Sequence, residues 1–319
     1  MAIKHALMVG MMGRVADRFH EYQEAHDLVQ RLELAKQVSN ADGIEIVYPS
    51  EFAHMPETIR ILQNSGLCIS AVNLNVKGEK RWQQGSFTNA NPAIRRQAVQ
   101  ELKTAMDLAA ELNVNMVSCC PLIDGHNYSF EVDYLQQWQW LQEGIAEGGR
   151  HRSDVRVSLE YKLNESRNAN LLSDMGRALY LMQCLGLPNV GVTMDVGHAL
   201  IAKETTAEAL SLAILAGKLF YVHFNDNGRE WDWDMIPGSV NFWDLLEVMF
   251  YLRRTGWDGW FSYDVLVRDG SMVETMQTSI EIVKSADQLV DKIGMACLEG
   301  FVKEANPARA YKHLFRSLL

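Results

Sequence analysis

The amino-acid sequence predicts an α/β fold, a (β/α)8 TIM barrel with a C-terminal helical extension. Three observations point there. Eight short β-rich segments alternate with long helix-period stretches over about 290 residues, the length such a closed barrel needs. No GxGxxG or GxxxxGK[ST] sequence follows any of these strands, which removes the phosphate loop of an open doubly wound sheet. No Pro/Gly/Ser linker or charge block divides the chain, so residues 1–294 are expected to form one catalytic domain and residues 295–319 a helical tail.

The predicted strands, in order, are Ala6–Val9, Gly43–Val47, Cys68–Leu74, Met116–Cys119, Arg156–Glu160, Gly191–Asp195, Leu219–His223 and Trp260–Asp264, each a short apolar or alternating run. Helical periodicity covers Glu21–Val38, Pro92–Leu112, Tyr134–Gly149, Leu171–Leu185, Thr206–Ala216, Phe242–Arg254 and Ser271–Lys292. The tail Met295–Leu319 carries an apolar helix-like set with Phe301, Tyr311, Leu314 and Phe315. Such an appendage needs a surface to cover, either its own barrel or a neighbouring subunit.

Composition excludes several classes. The 319 residues are 48% hydrophobic and 22% charged, with 22 Gly and 7 Pro, which is ordinary for a globular protein and unlike a disordered or collagenous chain. A formal net charge of −10 disfavours nucleic-acid and anionic-membrane partners, because the long-range field repels both. The longest early apolar run, Ala6 to Met12, is strand-sized, and Gly13-Arg14 follows it with no signal-cleavage pattern. The expected location is cytoplasmic. The five cysteines, Cys68, Cys119, Cys120, Cys184 and Cys297, show no CxxC spacing and read as reduced core thiols. Adjacent Cys119 and Cys120 face opposite sides of a strand, so no shared metal is expected there.

Reactive groups of such a barrel gather at the carboxyl ends of the strands. Four successive strands here end in ionisable residues: Glu160-Tyr161-Lys162, Asp195-Val196-Gly197-His198, His223 and Asp264. Trp231-Asp232-Trp233-Asp234 then places two carboxylates on one side of an extended loop. If these ends converge, Glu160, Asp195, Asp232, Asp234 and Asp264 bring five negative charges together. Like charges about 4 Å apart repel by roughly 4 kcal/mol per pair at an effective dielectric near 20. Protonation or a central cation must relieve them. Two divalent ions and Lys162 would balance the set, and oxygen and imidazole donors suit Mg²⁺ or Mn²⁺, with Co²⁺ and Zn²⁺ also compatible.

In these motifs the chain resembles the xylose isomerase-like TIM barrels, which include sugar isomerases, sugar epimerases and the endonuclease IV group. The matching pieces are Glu-x-Lys after strand five, Asp-x-x-His after strand six, the strand-seven His, the Asp-x-Asp loop and the strand-eight carboxylate. The resemblance implies a first metal held by Glu160, Asp195, His223 and Asp264. A second would share Asp195 and add His198, Asp232 and Asp234. It also implies roles in catalysis for Glu160, Lys162, His198 and Asp232. Single-metal epimerases of the family carry a Glu on strand eight, so Asp264 argues against that branch. The acidic balance and the shortage of early-strand histidines argue against the endonucleases.

Other positions follow from the same resemblance. His54 is the only candidate for the early-strand histidine that contacts the sugar ring oxygen, and Trp82 to Asn89 looks like a lid segment. Trp231 and Trp233 flank the proposed ligands, while Trp138, Trp140, Trp257 and Trp260 read mostly as core. Asn225, Asp226 and Arg229 stand where ligand support and substrate hydroxyl contacts are expected, and His126 follows strand four. The expected activity is a divalent-metal-dependent aldose–ketose isomerase acting on a small unphosphorylated sugar, working as a homo-oligomer. The alternatives are a decarboxylase of a 3-oxo sugar acid, which needs a further cation such as Arg229, Arg268 or Lys162, and a sugar epimerase.

Overall fold

The computed structural model describes residues 3–16, 19–165 and 167–318. Eight parallel strands close into a barrel: β1 (Lys4–Met8), β2 (Gly43–Tyr48), β3 (Cys68–Leu74), β4 (Met116–Cys119), β5 (Arg156–Glu160), β6 (Val190–Asp195), β7 (Leu219–Phe224) and β8 (Trp260–Tyr263). Each neighbours its sequence successor, and β1 pairs with β8 to close the ring. Apolar runs such as Val157 to Leu159 and Val190 to Met194 are buried throughout, as strands covered on both faces must be.

Around the barrel lie α1 (Leu28–Gln37), α2 (Met55–Asn64), α3 (Pro92–Glu111), α4 (Tyr134–Gly149), α5 (Met175–Leu185), the short α6 (Val196–Ile201), α7 (Thr206–Leu215), α8 (Phe242–Thr255) and α9 (Met272–Ile293). Two helices start later than the periodicity predicts, each for a reason of capping. Helix α1 begins at Leu28 because Asp27 and Gln30 form a reciprocal capping box, while Glu21–Tyr22 pairs with Val15–Ala16 as a two-stranded ribbon. Helix α5 begins at Met175, where the Asp174 side chain accepts from Arg177 N at 2.9 Å. Helix α2 lies in a stretch where no helix is expected; it carries Pro56 in its first turn and buries Thr58, Ile59 and Leu62 on one face.

The tail folds onto its own barrel. Helices α10 (Met295–Glu304) and α11 (Pro307–Leu318) return across α8 and α9, and the Tyr311 and Phe315 rings stand edge-on to Trp243 at centroid distances of 5.3 and 5.1 Å. Leu319 lies outside the described residues. Among the described residues no helix is long and apolar enough to cross a membrane.

Two departures from regular pairing set the phase of the strand ends. Between β6 and β7 the register runs Val192 to Leu219 and then Thr193 to Tyr221, so Phe220 is an extra residue on β7. Between β2 and β3, Ile44 pairs with Ile69 and Glu45 with Ala71, making Ser70 the extra residue. The Ser70 hydroxyl meets Tyr221 Oη at 2.6 Å inside the barrel, joining the two bulges.

Candidate metal centre

A reset at one bulge, between β6 and β7, turns Asp195 and His223 inward in register, and Glu160 reaches the same mouth of the barrel from the end of β5. Thr193 pairs with Glu160 and Asp195 with His223. His223 Nδ1 lies 3.4 Å from Glu160 Oε2 and 3.8 Å from Asp195 Oδ2. One ligand atom from each of the three falls within 4.8 Å of the others. Two donors bound to one ion at about 2.1 Å stand roughly 3 to 3.5 Å apart, so the His223–Glu160 pair is already at ligand spacing and the His223–Asp195 pair lies a few tenths of an ångström outside it.

The other His223 nitrogen, Nε2, is 3.1 Å from Glu45 Oε2. Glu45 is fully buried on β2 and accepts hydrogen bonds from Ser118 Oγ at 2.5 Å and Asn73 Nδ2 at 2.9 Å. A carboxylate behind a ligating imidazole fixes its tautomer and raises its basicity. Sequence reasoning missed Glu45, although a lone acid inside the apolar run Gly43-Ile44-Glu45-Ile46-Val47 was a readable signal.

Asp195 caps α6, accepting from His198 N at 2.8 Å through Oδ1, while its Oδ2 accepts from Asn225 Nδ2 at 3.0 Å. The first turn of that helix therefore aims His198 back at the barrel mouth. Gly197 is required here: a Cβ would come within 2.3 Å of Asn225 Oδ1, which accepts from Gly197 N at 2.8 Å. His198 Nδ1 is 2.9 Å from Glu160 Oε1, and Nε2 is 3.2 Å from Asp232 Oδ2. Lys162 Nζ sits between Asp232 Oδ2 and Glu165 Oε2, 2.8 Å from each.

The loop after β7 is clasped by Asp226, which accepts from Val240 N, Asn241 N and Asn241 Nδ2. It delivers Asp234 with a left-handed φ of 46°, its carbonyl bound by Leu266 N at 2.8 Å and its carboxylate 3.3 Å from Asn225 Nδ2. Asp264 follows β8 and is partly buried, in the field of His223, Glu160, Asp232 and Glu45. The seven expected ligands thus share one neighbourhood. Three of them, Glu160, Asp195 and His223, make the tightest group.

The electrostatics of this neighbourhood are those of a site built for a cation. Burial pushes the Asp195 carboxyl up to about 7, reinforced by Glu160 and Asp232, and burial with the same neighbouring acids raises Asp234 and Asp264. Burial opposes charge on His198 and His223, yet Asp195 and Asp232 around the first and Glu45 and Glu160 around the second hold both well above the usual histidine range. Against the same burial, His223 and His198 hold Glu160 well below the carboxylate range, and His198 and Lys162 do so for Asp232. The acids thus borrow protons for want of another cation. His198 Nδ1, His223 Nδ1 and Asp232 Oδ1 are buried without a hydrogen-bond partner, which a native interior rarely tolerates. These donors fit a divalent ion.

Two further residues complete the mouth from the first half of the barrel. Lys77, after β3, is partly buried; burial opposes its charge, but Cys120, Glu160 and Asp264 hold its ammonium above the ordinary lysine value. The sequence reads Cys120 as an inert core thiol. It is a buried free thiol as read, and it also lies beside Glu160 and His198, while Cys119 joins the apolar core on the other side of the strand. Glu45 adds one negative charge to the expected inventory and Lys77 one positive, so the need for added cations is unchanged.

Several expectations are not met. His54 is exposed at the entry of α2 and not turned into the barrel. The segment Trp82 to Asn89 is tied down: Asp124, itself buried, accepts from Ser86 N, Phe87 N and Thr88 N and from the Ser86 and Thr88 hydroxyls. Arg229 turns away to Asp244 and Asn241, and Arg268 is exposed. His126 pairs with Ala169 in a small sheet and packs its ring on Tyr134 at 4.9 Å. Trp233 is exposed, whereas Trp257 stacks on Phe261 as core, as expected.

Comparison with known proteins agrees with this architecture. Xylose isomerase of Thermus thermophilus is 26% identical over 206 residues, 63% of this chain and 53% of the relative, so the chain spans about half the length of the curated relatives it matches. A D-tagatose 3-epimerase-like protein superposes with a TM-score of 0.70 at 19% identity, covering 91% of this chain and 98% of that one. A xylose isomerase domain protein of Alicyclobacillus acidocaldarius gives 0.68 at 18% identity, covering 91% and 100%. The family model described as xylose isomerase-like TIM barrel matches residues 32–317, nearly the whole barrel and its tail, and the chain belongs to that family.

Proposed function

We propose that the protein is a divalent-metal-dependent aldose–ketose isomerase acting on a small unphosphorylated sugar. The observation that carries this reading is the cluster of Glu160, Asp195 and His223, with orphaned ring nitrogens and Asp264 beside it. Bound there, Mn²⁺ or Mg²⁺ supplies Lewis-acid polarisation of a carbonyl and its neighbouring hydroxyl. A second ion would share Asp195 and be held by His198, Asp232 and Asp234.

The chain's own groups supply the rest. Lys162 exchanges its hydrogen bond to Asp232 for one to the developing substrate oxyanion, where a fixed positive charge lowers the barrel's negative field. Where no second ion is bound, the contact between His198 and Asp232 offers a route for a proton between substrate hydroxyls. Asn225 keeps Asp195 and Asp234 apart, and Glu45 keeps Nδ1 of His223 facing the centre. With a sugar as substrate, a homo-oligomeric cytoplasmic enzyme is the expected setting.

One observation favours a second reading, a decarboxylase of a 3-oxo sugar acid. Among the described residues the Lys77 ammonium has no ion-pair partner, so it is free to meet a substrate carboxylate, a role Arg229 and Arg268 are not placed to fill. The test is a panel of sugars and sugar acids assayed with Mn²⁺ in heavy water, following isomer, CO₂ and deuterium. Isomerisation with little deuterium at carbon supports direct C1–C2 hydrogen transfer. Stoichiometric CO₂ replaces it with the lyase, and full solvent exchange without CO₂ with an epimerase.

A further inference from the structure

The sulfur at the mouth of the barrel carries the inference. Cys120 Sγ, a Glu160 carboxylate oxygen and a His198 ring nitrogen all lie within 4.8 Å of one another, and all three residues are buried. His198 Nδ1 comes to 2.9 Å from Glu160 Oε1 yet forms no aligned hydrogen bond, and the residue is 5% exposed. A buried imidazole nitrogen that faces a carboxylate and a thiol without an aligned hydrogen bond is accounted for by an ion among the three.

We infer that Cys120, Glu160 and His198 form a sulfur-containing metal position, sharing Glu160 with the Glu160, Asp195 and His223 position and selecting a thiophilic ion such as Zn²⁺, Co²⁺ or Cd²⁺ over Mg²⁺. Thiolate is a soft ligand, and its presence alters the selectivity that oxygen donors alone would set. In the metal-free chain burial keeps the thiol protonated, with Glu160 adding to the effect, so Cys120 is inert until an ion arrives. Coordination removes that proton outright. Lys77 and Lys162 favour the resulting thiolate. With an ion at this position Asp232, 3.2 Å from the far nitrogen of His198, orients the ring as the partner of a ligating imidazole does and does not itself share an ion with that ring.

The inference rests on the cluster binding metals at all, and the experiment separates the two claims. Protein stripped with a chelator and kept reduced is titrated with Co²⁺. A near-ultraviolet thiolate-to-Co²⁺ charge-transfer band is expected beside the visible ligand-field bands; Cys120→Ser abolishes the former and keeps part of the latter, and Cys119→Ser keeps both. Zinc affinity falls at least about tenfold in Cys120→Ser while Mn²⁺ affinity changes less than about twofold. X-ray absorption of the zinc-loaded wild-type protein, which needs no variant, shows a sulfur scatterer at about 2.3 Å. Ligand-field bands without charge transfer, a band that survives Cys120→Ser, or a zinc shell of nitrogen and oxygen alone overturns the sulfur position and leaves the metal centre standing. No cobalt binding at all overturns both.

Discussion

Two buried carboxylates at the same end of the barrel solve their burial in opposite ways. Asp124 is 1% exposed and accepts five hydrogen bonds from three consecutive residues, Ser86 to Thr88. Asp195 is fully buried, accepts from His198 N and Asn225 Nδ2, and otherwise faces Glu160, Asp232 and two histidines. The first is satisfied by dipoles and holds a loop. The second is left among like charges, which is costly unless a cation joins them. Burial alone does not mark a functional acid; unanswered charge does.

The largest effect expected from this contrast is on function at Asp195. Asp195→Asn keeps the cap on α6 but removes a charge, and turnover with saturating Mn²⁺ should fall by more than the 10–100-fold typical of residues behind the ligands. A folded variant with near-wild-type turnover would break the contrast. Asp124→Ala should do the reverse: with five donors left unpaired it should lose about 3–5 kcal/mol of stability, read as a lower denaturation midpoint, while the folded fraction still binds Mn²⁺.

Glu45→Gln tests the zone between the two. Glu45 is satisfied by Ser118 and Asn73 like Asp124, yet touches a ligand like Asp195, so Mn²⁺ affinity should drop about 10–100-fold with little change in thermal midpoint of the metal-free protein.

The smallest effect is a slope. Metal binding must displace the protons that His198 and His223 hold tightly, and that of Asp195 near 7. The raised values mean that protons compete most at low pH, so affinity should climb as pH rises through 7, by up to about tenfold per unit for each proton released. Calorimetric titration at several pH values measures it. The stabilisation given by a fixed Mn²⁺ concentration should grow in step. Affinity flat across that window would mean that the histidines are not ligands.

Much of this was legible in the sequence, and the remainder has a physical reason. Strands β3, β4 and β5 fall on the predicted residues because their apolar runs are sharply bounded. Helix α2 escapes the sequence reading although Met55 to Asn64 has a clear apolar face, because it is short and follows an irregular turn at Ser50 to Phe52. The candidate ligand group on β5 to β7 was readable as a cluster because each strand ends in its own ionisable residue. Lys77 and Cys120 were not readable as site residues, and the lone acid Glu45 was readable only as an oddity without a partner, since the closed barrel is what sets β2 across from β7 and the end of β4 beside that of β5. Glu45 and His223 are 178 positions apart, and no local pattern announces their contact.

The two extra residues, Phe220 and Ser70, bear on anyone wishing to transplant this centre. From the level where Val192 pairs with Leu219, three steps along β6 reach Asp195, but four along β7 are needed to reach His223. Copied onto an idealised barrel of uniform strands, the same motifs would present Val222 at the level of the aspartate and turn the imidazole toward the surrounding helices. The portable unit is therefore a pair of ligands together with the irregularity that phases them, and a graft of side chains alone would carry the letters of the site without its spacing.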